Sequence, residues 1–226
     1  MFIIMDDKII LICATGRSGS TTMQRIINTI PNSNICGENL GAINSLLEFY
    51  RRIKTTTFKH VPGRLKPANY DDILSQNIKP AWYNSYNFQQ TVTMIKVLII
   101  SLLKKNENNK LWGFKEIRYD NGDINYIKDF KELFPQTKII IHIRENIKAQ
   151  SESGWFKTNK NAINYLYNLN NDLYNFYANN KDYCYFNTFE KMFDVNNIKK
   201  IFEFIDCAES FNENNIKLIL NNNIKD

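Results

Sequence analysis

The 226-residue sequence predicts an α/β fold with a central, mostly parallel sheet and helices on both faces. Two apolar runs carry that prediction, Ile9-Ile10-Leu11-Ile12-Cys13-Ala14 and Lys138-Ile139-Ile140-Ile141-His142-Ile143. Continuous β-branched stretches of this length read as strands buried on both sides, which is the signature of a parallel sheet. Each run is followed by a turn and then by helical spacing, so strands and helices alternate along the chain. With 43% hydrophobic side chains the chain can bury one sizeable core, and a single domain over 1–226 is expected.

After the first strand, Thr15-Gly16-Arg17-Ser18-Gly19 reads as a turn. Ser20 to Ile30 then carries helical spacing through Met23, Ile26, Ile27 and Ile30, and Pro31 stops it. A short extended piece, Asn34 to Cys36, leads through Gly37 into a helix near Leu40 to Ile53. Residues 54–81 hold Pro62, Gly63, Pro67 and Pro80 among basic residues, and read as a long loop or lid on the acceptor side of a site. Trp82 to Leu103 is expected to be helical, Leu111 to Lys115 a strand, and Ile124 to Phe134 a helix. Beyond the second clear strand, helices are expected near Asn146 to Phe156 and Asn161 to Tyr177. The latter aligns Ile163, Leu166, Leu169, Leu173 and Phe176 on one face. Tyr183 to Phe186 reads as a last strand.

The 29 basic and 23 acidic residues leave a formal charge of +6. That balance favours an anionic ligand, but it is too mild and dispersed for nucleic acid, and no basic run is interleaved with aromatics. Cys13, Cys36, Cys184 and Cys207 are scattered, with only His60 and His142 to complement them, so reduced thiols and no metal site are expected. The early apolar run is too short for a secretory signal, and Val97 to Leu103 falls far short of a membrane span. A soluble, cytoplasmic protein is the expectation.

The junction Gly16-Arg17-Ser18-Gly19-Ser20-Thr21 has the grammar of a phosphate cradle: glycines for a tight turn, then N–H groups at a helix start facing an anion. It is not a Walker A loop, because Ser20 follows Gly19 directly and the cation, Arg17, precedes it. The alternative is an ordinary strand–turn–helix junction with Ser20 as N-cap. The order Arg17-Ser18-Gly19-Ser20-Thr21 resembles the 5′-phosphosulfate loop of the sulfotransferases that use 3′-phosphoadenosine-5′-phosphosulfate (PAPS). The resemblance implies a P-loop-like, three-layer α/β fold working without a metal. It also implies that Arg17 would hold the phosphosulfate and act on the leaving oxygen by charge alone.

The same family binds the 3′-phosphate with an Arg at a strand end and a Ser on the following helix. Ile139 to Arg144, then Glu145 to Trp155, resembles that signature, with Glu152 at the usual serine position and Ser151 and Ser153 beside it. Ser153 is favoured because Ser153-Gly154-Trp155 resembles some members. Arg144 pairing with a nearby carboxylate is the plainer alternative. Cys36-Gly37-Glu38 resembles a segment of the tyrosylprotein sulfotransferases, which implies Glu38 as the base, with Glu116 the alternative. Lys115 would contact the transferring group and Arg118 the acceptor. His142, mid-strand, reads as a satisfied core histidine. The resemblance thus implies PAPS as donor, 3′,5′-phosphoadenosine (PAP) as product, and a hydroxyl acceptor such as a glycan, peptide or small molecule. A metal-dependent P-loop kinase and a non-catalytic nucleotide-binding module are the competing expectations.

Overall fold

A computed structural model describes residues 6–59, 87–119 and 123–222. Five strands form one all-parallel sheet: β1 (Lys8–Ala14), β2 (Ser33–Cys36), β3 (Leu111–Glu116), β4 (Lys138–Ile143) and β5 (Cys184–Thr188), in the order β2-β3-β1-β4-β5. The helices are α1 (Ser20–Ile27), α2 (Ala42–Lys59), α3 (Phe88–Leu103), α4 (Asn125–Leu133), α5 (Ile147–Ser151), α6 (Ala162–Ala178), α7 (Val195–Phe204) and α8 (Glu213–Asn221), with short 3₁₀ turns at Gly154–Thr158, Glu190–Phe193 and Ala208–Ser210.

The alternation of β1 divides the core. Ile9, Leu11 and Cys13 face a cluster built with Ile43 and Leu47 of α2, Ile95 and Ile99 of α3, Phe130 of α4 and Leu173 of α6. Ile10 and Ile12 face the opposite side, against Met23, Ile26 and Ile27 of α1, Ile201 of α7 and Ile216 of α8. This is the three-layer, P-loop-like arrangement expected from the sequence. The sheet comes close to its own neighbour at Gly113, where a Cβ would stand 1.8 Å from the Ile10 carbonyl oxygen, so no side chain fits there.

Two edges need extra fixing. The backbone of edge strand β2 is held from α1, because Gln24 Nε2 and Asn28 Nδ2 both donate to the Ile35 carbonyl and Asn28 Oδ1 accepts from Ile35 N–H. At the amino end of the sheet Asp7 is buried and accepts from Lys104 Nζ at 2.8 Å and from Trp112 Nε1 at 2.9 Å.

Several boundaries differ from expectation for physical reasons. α2 runs to Lys59, so residues 54–59 are helical and do not begin the expected loop; positions 60–81, His60 among them, lie outside the described residues. The helix expected over Asn146 to Phe156 ends at Ser151, and Gly154, at φ 56°, turns the chain into a 3₁₀ segment. Ile163 is 54% exposed; Ala162 occupies the core-facing position instead, packed with Phe156 and Leu166. All four cysteines are free.

The Asp7–Lys104 pair is buried, with Lys110 Nζ 3.9 Å from the other carboxylate oxygen. Lys104→Met is expected to lower unfolding free energy by about 3–5 kcal/mol, since it strands a buried carboxylate, as read by urea denaturation.

Candidate functional site

In the order β2-β3-β1-β4-β5, the chain leaves β1 toward one edge and later crosses back to the other. Ligands of open α/β sheets sit at such a switch point, beyond the carboxyl ends of the strands. A cleft of about 410 Å³ lies there, and both Arg17, from the tip of β1, and Arg144, from the tip of β4, line it. Gly19, Ser20, Thr21 and Thr22 form its floor.

The loop from Thr15 to Gly19 turns a buried strand into a helix within five residues. Arg17 has φ 61° and Gly19 has φ 79°; at Gly19 a Cβ would also meet Phe189 Cδ2 at 2.5 Å. Gly19 therefore occupies the N-cap of α1 and Ser20 begins the helix. The first helical N–H groups, of Ser20, Thr21 and Thr22, have no acceptor within α1, because the first intrahelical bond is Met23 N–H to the Gly19 carbonyl. Together with the helix dipole they favour an anion.

The Thr15, Gly16 and Ser18 carbonyls of the loop are met from within the fold. Ser18 Oγ donates to the Thr15 carbonyl at 2.7 Å, Gln150 Nε2 to the Gly16 carbonyl at 2.6 Å, and His142 Nε2 to the Ser18 carbonyl at 2.8 Å. Gln150 Nε2 also reaches Thr15 Oγ1. Ser18 thus contributes its backbone; its side chain is buried away from the cleft. Ser153 Oγ accepts from Arg17 Nε at 3.1 Å, and the guanidinium lies over Trp155 at 5.8 Å.

At the other tip the Arg144 guanidinium lies 4.6 Å over the Phe189 ring, and its Nε is buried without a hydrogen-bond partner. No ion pair of Arg144 with a carboxylate is seen among the described residues. Nearby Glu190 accepts from the N–H groups of Glu145 and Asn146, both at 3.1 Å. Burial opposes its charge, but those N–H groups, its own N–H and the nearby Arg144 charge outweigh it and hold the carboxyl below the usual range. Phe193 stacks edge-on against Phe189 and, with Ile219 and Leu220, gives this end an apolar wall.

Glu38 follows β2 and lines the cleft. Its carboxylate is paired with Lys115 of β3 and, at 3.0 Å, with Arg118 Nη1. Lys115 is buried and its ammonium serves Glu38, so the structure does not bring it to the cleft surface expected from the sequence. Glu116 is 1% exposed and its Oε1 accepts from the N–H groups of Ile117 and Arg118. It shapes the turn that presents Arg118. A second chamber of about 540 Å³ shares Glu38 with the cleft and is walled by Arg118, Trp155, Phe156 and Tyr165.

Ser153 is therefore brought to the cleft, on Arg17. Ser151 is not: it donates to the Lys148 carbonyl and lines a separate surface hollow. Sequence reasoning missed Gln150, Asn187 and Phe189. A polar residue inside the aromatic strand Cys184–Thr188 was the available signal for Asn187. Among the described residues no group of three or more His, Cys, Asp or Glu could hold a metal ion, and no helix is long and apolar enough to cross a membrane.

This is a sulfotransferase-like α/β fold. The solved sulfotransferase domain from the curacin biosynthetic pathway superposes with a TM-score of 0.51 at 13% identity, over 96% of this chain and 79% of that one. No family model and no curated protein matches the sequence.

Burial pushes the His142 imidazole down from 6.5 to about 4. A depressed folded pKa means that the neutral ring's contribution is complete above pH 6.5 and is lost as pH falls toward 4. Stability is expected to drop by up to about 3 kcal/mol across that window from this group, and His142→Gln should flatten the drop in denaturation curves taken at several pH values.

Proposed function

We propose that this protein transfers a sulfuryl group from PAPS to an acceptor hydroxyl. One observation carries the reading: Arg17 and Arg144, from the tips of two neighbouring strands flanking the start of α1, line a single cleft. The buried, unpartnered Nε of Arg144 and the unpaired N–H groups of α1 fit a ligand that is anionic at two places. The apolar wall of Phe193, Ile219 and Leu220 suits the adenine between them.

In this reading the start of α1 and Arg17 hold the 5′-phosphosulfate, Arg144 the 3′-phosphate, and Ser153 fixes the Arg17 side chain. Glu38 faces both chambers, so a hydroxyl entering along Trp155 and Tyr165 meets its carboxylate. Glu38 takes the hydroxyl proton and the acceptor oxygen bonds to sulfur. The bond from sulfur to the bridging oxygen breaks, and the electron pair stays on the phosphate of PAP, where Arg17 and the α1 N–H groups stabilise it. Lys115 and Arg118 orient Glu38; a direct role for Lys115 on the sulfuryl oxygens requires it to leave that carboxylate. The acceptor is a glycan, peptide or small-molecule hydroxyl, and the protein a soluble, cytoplasmic enzyme.

A nucleotide-binding module without transfer is the second reading, favoured by the engagement of Glu38 with two cations. Labelled sulfate offered as PAPS to a panel of phenols, glycans and peptides separates the two, because a module labels none of them. PAP should raise the melting temperature and Mg-ATP should not; the reverse result would identify a kinase. Glu38→Gln should keep PAP affinity and lower turnover by about 100-fold or more, whereas unchanged turnover removes Glu38 as the base. Arg144→Ala should weaken PAP by about tenfold or more in calorimetry, and an unaltered affinity would take the 3′-phosphate site away from β4.

A further inference from the structure

We propose that His142 is a positioning residue for the anion-binding loop, held in one orientation by a directional chain through Asn187 and Asn197. The chain starts from a group with no choice. The Ser18 carbonyl can only accept, so His142 Nε2, 2.8 Å away, carries the proton. The neutral ring must then accept at Nδ1, where Asn187 Nδ2 stands at 2.8 Å. That fixes the Asn187 amide, leaving Oδ1 to accept from Asn197 Nδ2 at 2.6 Å. Asn197 Nδ2 also donates to the Lys191 carbonyl at 3.2 Å, and its Oδ1 accepts from Tyr185 hydroxyl at 3.1 Å. Every donor meets an acceptor, and each link sets the direction of the next.

The peptide plane gives this chain its function. In a trans peptide the carbonyl and the N–H point in opposite directions. Drawing the Ser18 carbonyl inward to His142 sends the Gly19 N–H outward, and Gly19 lines the cleft. Ser18, His142 and Asn187 are all fully buried, so no water substitutes if the ring is removed. A rotated Ser18–Gly19 peptide would present a carbonyl oxygen to an incoming anion. His142 acts through this peptide and touches no ligand. Taking PAP as the probe rests on the function proposed above; the loop's order does not.

The test combines amide hydrogen exchange over residues 14–20, without ligand, with calorimetric PAP affinity. His142→Leu should speed exchange in that segment and weaken PAP by about tenfold or more. His142→Gln, which keeps a donor and an acceptor, should restore both. Lys104→Met, at the opposite end of the sheet, serves as a control for stability alone and should leave PAP affinity unchanged. An exchange rate in His142→Leu equal to wild type, with affinity within about twofold, overturns the proposal. So does an equal loss of affinity in Lys104→Met. Should His142→Leu fail to fold, Asn197→Ala reads the same link from its half-exposed outer end; faster loop exchange supports the proposal and unchanged exchange overturns it. If the wild type does not bind PAP, the donor assignment fails, and loop exchange alone decides on His142.

Discussion

Buried carbonyl oxygens must find donors, and in this chain that requirement governs the turn from β1 into α1. Five residues carry the backbone out of a fully buried strand and into a helix, and the oxygens of Thr15, Gly16 and Ser18 are bonded within the interior. They are met by a serine within the loop, a glutamine on α5 and a histidine in β4. Each donor comes from a different element. The loop can keep its shape only when the sheet, α5 and the strand beside β1 are all in place. The shape of the loop that lines the cleft is thereby made to depend on the cooperative fold.

The charges are arranged on a second principle. Around Glu38, two cations and two carboxylates lie within one turn of the β3 tip, and the buried members are paired or bonded to backbone N–H groups. At Arg17 and Arg144, by contrast, aromatic rings lie against the guanidinium groups, Trp155 at the first and Phe189 at the second. The cleft consequently carries an arginine from each of two strand tips and a carboxylate, Glu38, that it shares with the aromatic chamber. The scaffold's stability lies elsewhere, in the two apolar clusters and in the Asp7 pair at the amino end of the sheet.

The elements most legible in the sequence were those whose burial is uniform. β4 spans the residues its apolar run predicts, and β1 gains only Lys8. The phosphate-loop grammar led to the tip of β1 because glycine spacing reports backbone geometry directly. The sequence was less legible where several contacts compete for one residue. Ser151 and Ser153 flank the same expected position, and only the break at Gly154 turns Ser153 toward Arg17. Ile163 fits the helical stripe as well as Ala162, but Phe156 and Leu166 leave room for the smaller side chain. Gln150 and Asn187 bond across the sheet to partners 134 and 45 residues distant, a pairing that no local pattern encodes. Phe189 reads as core from its aromatic neighbours, though it also forms a wall of the cleft.

Phe189 has one more consequence. Its ring lies against Gly19 on one side and beneath the Arg144 guanidinium on the other. A single aromatic ring is therefore shared by two strand tips of the cleft that are far apart in sequence. A side chain at position 19 would collide with that ring, on which the arginine also rests. A substitution at position 19 is therefore felt, through that ring, at position 144.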